Sequence, residues 1–366
     1  MIMLGNKEIT VFFSLLRSGL WHRPIDRLDC FPLTDTEWGQ LYQYAEKQTV
    51  EGILFDGVQQ LEAGMQPPKT LLLKWLVRVE KIRQRNRWMD TMLVEQALFF
   101  NKHNLHPILL KGQGVAQCYR DPTIRLSGDI DWYFDSPAAF AEANEQVHKL
   151  GLQLSSSGKY NSSYAWKGCA VDQHGKLFDI HNPFVQGYVG QLESAYGDNK
   201  LALLLGETRV SLLAPMLQIL QVNTHILKHQ LAFGVGIRQL CDAACLYAYY
   251  HRQVEGATLR AIYQKLNLLN WVHVFHQLLV DFLGLDRDKL PFELNKQQNC
   301  TWMMEDCWTA GNFGFHDENY IRQENGLFSG RKSTFKKIWA NFWKYLPYAP
   351  MEAISFPIMH YRAKAD

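Results

Sequence analysis

Two aspartates separated by one residue are the part of this chain best suited to chemistry. Asp129 and Asp131 lie in a run with strand propensity, 129–134. Side chains on a strand alternate between its two faces, so both carboxylates point to the same side. Like charges on one strand face repel each other unless a cation lies between them. Mg²⁺ or Mn²⁺ binds through such carboxylates together with substrate phosphates, so the pair predicts a divalent-metal site.

A glycine-containing turn stands upstream of these aspartates. Lys111, Gly112, Gln113 and Gly114 close an apolar run and open a run compatible with a helix. Glycine allows a ligand to approach the backbone closely, and the free amides at a helix start favour an anion. The turn therefore predicts a phosphate site beside the metal site.

A third carboxylate follows further along the chain. The segment 177–181 (Leu-Phe-Asp-Ile-His) is interpreted as a strand, on which Asp179 and His181 share one face. Asp179 could then join the first two aspartates across a sheet. The alternative is an aspartate at a strand edge with no part in metal binding.

Hydrophobic periodicity divides the chain into three parts. We expect a helical N-terminal region over 1–104, an α+β core over 105–214 and a helical C-terminal region over 215–366. The predicted fold class is α+β, with a small mixed β-sheet flanked by the two helical regions. In the core we expect one strand that ends at residue 111 and four more at 129–134, 152–156, 164–171 and 177–181. A helix is expected at 137–150.

Composition sets only broad bounds. The chain has 366 residues, 47 % of them hydrophobic, which leaves room for about two domains. Its formal net charge of +2 gives no indication of a bulk polyanion binder, so contact with nucleic acid, which is not excluded, would need a local basic patch. Seven cysteines without disulfide spacing predict a reducing compartment. No segment approaches the roughly 20 apolar residues of a transmembrane helix, so we expect a soluble, cytoplasmic protein.

The order of the motifs resembles that of a known family, the uncharacterised nucleotidyltransferase family within the polymerase-β-like superfamily. The motifs that carry the resemblance are Leu110-Lys111-Gly112, Tyr119-x-Asp121-Pro122-x-x-Arg125, Gly128-Asp129-Ile130-Asp131 and Phe178-Asp179-Ile180-His181. The helical segment 225–242 and the tail 348–362 are similar to that family as well. The resemblance therefore spans most of the chain from about residue 70 onward.

The resemblance implies a reaction and roles for the carboxylates. Asp129 and Asp131 would bind two divalent ions, Mg²⁺ or Mn²⁺, that bridge a nucleoside triphosphate such as ATP. Asp179 would hold the second ion and help to deprotonate a hydroxyl. A nucleoside monophosphate would pass to that hydroxyl, and pyrophosphate would leave. The acceptor could be a small molecule, a protein, a polysaccharide precursor or an RNA end.

The resemblance also assigns a group of residues to the phosphates. Lys111 and Gly112 stand where the glycine turn of the superfamily meets the β and γ phosphates. Gln113 stands where the superfamily usually has serine, so we expect the backbone amides of Gln113 and Gly114 to contribute. Arg125 is a candidate for a phosphate contact or for a structural contact.

Two other functions remain open. The chain could be an inactive nucleotidyltransferase fold retained as a binding or scaffold module, and Gln113 in place of serine is the support for this. It could also be a glycosyltransferase whose Asp-x-Asp pair binds the metal of a sugar nucleotide. The glycosyltransferase interpretation does not account for the glycine turn or for Asp179.

Two further patterns have structural explanations. His225 and His229 are four residues apart on an expected helix, and without a neighbouring carboxylate motif we interpret them as packing or hydrogen-bonding residues. The segment 331–345 combines an aromatic stripe with lysines, a pattern that could contact a membrane or RNA. We expect this stripe to dock on the protein's own helices.

Overall fold

The computed structural model describes residues 6–156, 158–294, 297–314 and 331–362. These residues form two compact units. The sheet unit comprises Arg83–Ile180 and Phe184–His225, and the helical unit comprises the other described residues. The predicted division at 104 and 214 remains a proposal about domains.

The helices, in chain order, are α1 (Lys7–Trp21), α2 (Asp35–Gln48), α3 (Glu51–Val58), α4 (Lys69–Lys102), α5 (Lys111–Ala116), α6 (Pro137–Lys149), α7 (Gln186–Tyr196), α8 (Pro215–Ala232), α9 (Ile237–Tyr250), α10 (Gly256–Lys265), α11 (Leu269–Leu283), α12 (Thr301–Ala310), α13 (Arg331–Tyr345) and α14 (Pro350–Arg362). The strands are β1 (Ile108–Leu109), β2 (Ile130–Tyr133), β3 (Ser155–Ser156), β4 (Asn161–Trp166), β5 (Cys169–His174), β6 (Leu201–Leu205) and β7 (Thr208–Leu212).

All seven strands belong to one mixed sheet in the order β3-β4-β5-β2-β1-β7-β6. Strand β2 lies near its centre, parallel to β5 and antiparallel to β1. Strands β4 and β5 form one hairpin, and β6 and β7 form another. Because helices surround a mixed sheet, the predicted α+β class is confirmed.

One face of the sheet carries the hydrophobic core of the sheet unit. Ile130 and Trp132 of β2 are fully buried there, with Phe100 from the C-terminal half of α4 and Phe140 from α6. This packing turns the alternate residues of β2 to the opposite face. The core therefore fixes which side of the sheet presents Asp131.

The predicted strand over 164–171 is wrong. A two-residue turn at Lys167 and Gly168 divides it into β4 and β5, and both turn residues have left-handed backbone angles, φ 48° and 84°. Turns of this kind match the twist of a hairpin. The strand β5 therefore begins at Cys169 and continues to His174, beyond the predicted end at 171. Strands β6 and β7 were not predicted.

The predicted strand over 177–181 is also wrong, because this segment is irregular. The carbonyl of Ile180 accepts hydrogen bonds from the side chains of Lys176 (3.2 Å) and Gln186 (3.0 Å) instead of from a neighbouring strand. His181 belongs to the helical unit, where its backbone N–H donates to the buried carboxylate of Glu352 at 2.8 Å.

The helical unit buries part of the aromatic stripe on α13. Ile338 is 2 % exposed, whereas Trp339 and Trp343 are 48 % and 59 % exposed. The side chains of 331–335, including the predicted stripe residue Phe335, lie outside the described residues. No helix among those described combines the length and apolar character needed to cross a membrane.

Helices α1 and α3 cross at two glycines, and this contact can be tested. A Cβ on Gly19 would collide with the carbonyl oxygen of Ile53, whereas a Cβ on Gly39 of α2 would meet nothing within 4 Å. Gly19→Ala should therefore lower the free energy of unfolding by about 2 kcal/mol, measured in urea. Gly39→Ala should raise it by up to about 1 kcal/mol through helix propensity. Equal effects of the two substitutions would contradict this crossing.

Candidate active site

Polar side chains occupy the sheet face opposite the core, in two adjacent rows. In the first row, Asp131 of β2 lies directly beside Asp172 of β5. In the second row, Tyr133 of β2 lies between His174 of β5 and Ile108 of β1. Two residues along a strand span about 7 Å, so the rows are neighbours.

Asp131 is at the centre of this face and is only 3 % exposed. Its Oδ1 contacts the Lys111 ammonium at 3.1 Å and Nε2 of His174 at 2.9 Å. Burial alone would raise the pKa of Asp131, but the charge of Lys111 and the hydrogen bond and charge of His174 hold that pKa well below its usual range. The group is therefore a carboxylate, and because both contacts use Oδ1, Oδ2 is the oxygen suited to a further cation.

The turn that carries Lys111 has unusual backbone angles. Lys111 has φ 29° and Gly112 has φ 43°, both in the left-handed region. A Cβ on Gly112 would lie 3.4 Å from the backbone oxygen of Asp129, so the turn passes directly beside the first predicted aspartate. A non-glycine residue with positive φ stores strain, which is common at functional sites.

The Lys111 side chain connects all three predicted aspartates. Burial disfavours its charge, but attraction by Asp131, Asp129 and Asp179, in that order, outweighs burial and raises the pKa of the ammonium. Asp129 precedes β2 by one residue, and Asp179 lies in the irregular segment after β5. Of the three, Asp131 contacts the ammonium directly at 3.1 Å, whereas Asp129 and Asp179 act on it through their charges.

Asp179 is hydrogen-bonded to a histidine of α8, His225, which is the last residue of the sheet unit. Nδ1 of His225 lies 2.9 Å from Oδ2 of Asp179, and Nε2 of the same ring lies 3.4 Å from Nζ of Lys111. A lysine ammonium has only donors, so Nε2 accepts, and the ring proton is on Nδ1. His225 therefore donates to Asp179 and links it to Lys111.

Three side chains on this face could together hold a metal ion, two from the first row and one from the second. Asp131, Asp172 and His174 each offer a ligand atom, and these atoms lie within 4.8 Å of one another. Two carboxylates and an imidazole can bind Mn²⁺ or Mg²⁺, although Mg²⁺ prefers oxygen. His174 is already bonded to Asp131, so it can orient that carboxylate from outside the coordination sphere.

The side chain of Gln113 is a buried polar group. It is 4 % exposed, and among the residues that the structure describes neither its amide nitrogen nor its amide oxygen has a hydrogen-bond partner. Buried polar groups are nearly always hydrogen-bonded, and each exception calls for an explanation. A polar ligand group at the glycine turn would satisfy both atoms.

The chain matches the family model described as "Uncharacterised nucleotidyltransferase" over residues 34–284, more than half of its length. It belongs to this nucleotidyltransferase family. The resemblance noted in the motifs is therefore confirmed. Neither a curated protein nor a solved structure matches the chain.

In this nucleotidyltransferase family member, the remaining predicted phosphate residues are placed as follows. Arg125 is 4 % exposed and its Nη1 donates to Oγ of Ser127 at 3.0 Å, within the loop that leads to Asp129. Gly114 is buried in α5, a helix of six residues whose first two have left-handed angles. So short a helix offers little field for an anion. Contacts from Arg125 and Gly114 to phosphate stay predictions.

Sequence reasoning missed three residues of this nucleotidyltransferase site. Asp172 and His174 occur in an Asp-x-His pattern whose significance depends on β5, and the hairpin turn before β5 was not recognised. His225 was interpreted as a packing or hydrogen-bonding residue outside the site because no carboxylate motif is near it in sequence, and its hydrogen bond to Asp179 brings it into the site. Its place in the family resemblance was the signal that could have identified it.

Beneath the site, a buried amide supports β2 from the core face. Oε1 of Gln96 accepts hydrogen bonds from the Trp132 indole (3.0 Å) and the Tyr164 hydroxyl (3.1 Å). Gln96→Leu removes the acceptor of both buried donors and should lower the free energy of unfolding by about 2–4 kcal/mol. Chemical denaturation measures this. Gln146→Leu, at a partly exposed position of α6, should change it by less than about 0.5 kcal/mol. Similar losses of unfolding free energy in both variants would contradict a specific stabilising role for the Gln96 hydrogen bonds.

Proposed function

We propose that this chain transfers a nucleoside monophosphate from a nucleoside triphosphate, ATP among them, to a hydroxyl of an acceptor and releases pyrophosphate. The observation that carries the proposal is the contact of Lys111 with Asp131, together with the link from Lys111 through His225 to Asp179, beside a turn with left-handed backbone angles. Family membership supports a nucleotidyltransferase in general. A cytoplasmic location is proposed with it.

The donor set fits a divalent cation. Asp131 remains ionised although it is buried, and Asp172 and His174 place two more ligand atoms within 4.8 Å. We propose that Asp129, Asp131 and Asp179 hold the ion or ions, Mg²⁺ or Mn²⁺, and that Asp172 and His174 complete or orient this set. A bound divalent ion would neutralise phosphate charge and stabilise the entering and leaving oxygens.

Lys111 and Gln113 are the residues proposed to position the triphosphate. The Lys111 ammonium is fixed by Asp131 and His225 at the mouth of the turn, so it is oriented before a ligand arrives. The Gln113 amide nitrogen can donate to a phosphate oxygen, which would satisfy a group that has no partner within the protein. Gly112 allows that approach because it has no side chain.

Asp179 and His225 are proposed to handle the proton. The acceptor hydroxyl loses its proton to Asp179 as its oxygen attacks the α phosphorus, and the bond between the α phosphorus and the bridging oxygen of pyrophosphate breaks. His225 Nδ1–H holds Asp179 Oδ2 in one orientation during this step. The charge on the leaving pyrophosphate faces Lys111.

The proposal is tested by pyrophosphate release with each of the four common ribonucleoside triphosphates and Mg²⁺ or Mn²⁺, over pools of hydroxyl-bearing acceptors. Asp131→Asn preserves the shape of the side chain and removes its charge. It should lower the rate by at least about 10³-fold, as expected for loss of a group that acts on the transition state. Removal of divalent ions by a chelator should have an effect of the same size.

The matched control is Glu145→Gln, because Glu145 is an exposed carboxylate of α6 that pairs with Lys149. It should leave the rate within about twofold of wild type, since exposed pairs contribute little. Full activity of Asp131→Asn, or of the chelated protein, would exclude the proposed reaction. A folded protein that binds ATP and releases no pyrophosphate with any pool would support the inactive alternative.

A further inference from the structure

A cleft opens beside the second row of the polar sheet face. Its volume is about 240 Å³. The apolar residues Ile108, Leu177 and Leu213 line it together with Tyr133, Glu193 of α7 and Lys200. Small-molecule sites are commonly clefts that combine an apolar lining with a few polar groups, and this volume suits a small ligand.

The strand register places this cleft next to the proposed reaction centre. Tyr133 follows Asp131 by two residues on the same face of β2, a distance of about 7 Å. Leu177, another lining residue, precedes Asp179, the proposed proton acceptor, by two residues. Two lining residues are therefore close in the chain to carboxylates of the proposed reaction centre.

The charges at the cleft oppose a phosphate and favour a cation. Asp135, Glu193 and Asp198 line it together with one cation, Lys200, which pairs with Asp135 at 3.2 Å. The triphosphate, with several negative charges, would be repelled from this side. The cleft is therefore suited to the acceptor and not to the phosphates of the donor.

Among the carboxylates that line the cleft, Glu193 is the one whose ionised form a cationic ligand would stabilise most. Burial raises the pKa of this carboxyl. The Tyr133 hydroxyl lies 3.5 Å from its Oε2, and the carboxylate also accepts a hydrogen bond from the Leu177 backbone, but these contacts offset burial only in part. Lys176, whose charge also reaches Glu193, donates its own hydrogen bonds to Ile180 and Gln186.

We propose that this cleft binds the acceptor and that the acceptor is a small molecule bearing a protonated amine as well as the reacting hydroxyl. The amine pairs with Glu193 and Asp198, and the hydroxyl lies toward Asp179. The new bond joins the hydroxyl oxygen to the α phosphorus, the proton goes to Asp179, and pyrophosphate leaves. The inference rests on the proposed function, since that function defines which bond the acceptor makes.

The test compares three sugars of one ring shape that differ in charge: glucosamine, glucose and glucuronic acid. Each is supplied at equal concentration with ATP and Mn²⁺, and pyrophosphate release is measured. We expect the rate with glucosamine to exceed that with glucuronic acid by at least about tenfold, the factor equivalent to 1.4 kcal/mol. Glu193→Gln should reduce this ratio to about twofold or less.

Two variants complete the design. Asp198→Asn is a second charge-removing variant of the cleft and should lower the glucosamine preference in the same direction. Glu145→Gln removes an equal charge from α6 and should preserve the preference. Thermal unfolding of each variant shows that the fold is retained. Binding of the three sugars without nucleotide is measured by ligand-observed nuclear magnetic resonance.

The outcomes separate this inference from the proposed function. Pyrophosphate release without a preference for glucosamine overturns the cationic-acceptor inference and leaves the nucleotidyl transfer in place. Glucosamine binding that depends on Glu193, with no pyrophosphate release from any triphosphate, supports the cleft and overturns the reaction. If glucosamine does not bind and no pyrophosphate is released, both the inference and the proposed function are overturned. A preference that survives in Glu193→Gln and Asp198→Asn shows that the amine is recognised elsewhere and overturns the assignment of the cleft.

Discussion

The buried ion pair between Lys111 and Asp131 is the interaction on which the polar face of the sheet depends. Burying either charge alone costs several kcal/mol, so each needs the other in order to remain charged. The pair also connects separate parts of the chain, since Lys111 lies in the glycine turn and Asp131 in β2. The charges of Asp129 and Asp179 also attract this ammonium, which offsets part of their mutual repulsion.

The two faces of the sheet have different roles, one in packing and one in presenting polar side chains. The core face, with Trp132 and its partner Gln96, fixes the position and rotation of β2. The opposite face then carries a row with Asp131 and a row with Tyr133, in an order set by alternation and register. A rigid strand whose far side is well packed can hold carboxylates in one geometry, which is what a metal-dependent or charge-stabilised reaction requires.

Local patterns were sufficient to predict some features and not others. The α+β class, the strand of Asp131 and the glycine turn followed from short-range periodicity and residue type. Asp172 could not be found in the same way, because a lysine with left-handed angles at position 167 gives no sequence signal for the turn that places β5. The setting of Asp179 depends on a bond from His225, and such pairings between distant positions are not encoded in any local pattern.

The most direct test of the account is the position of a metal ion in crystals grown with Mn²⁺ and a non-hydrolysable nucleoside triphosphate. Anomalous diffraction at the manganese edge locates the ion without reference to activity. The account predicts a Mn²⁺ peak about 2.1–2.2 Å from Oδ2 of Asp131, with triphosphate oxygens completing its coordination beside Lys111. A triphosphate bound elsewhere, or Mn²⁺ bound away from Asp131, would contradict it.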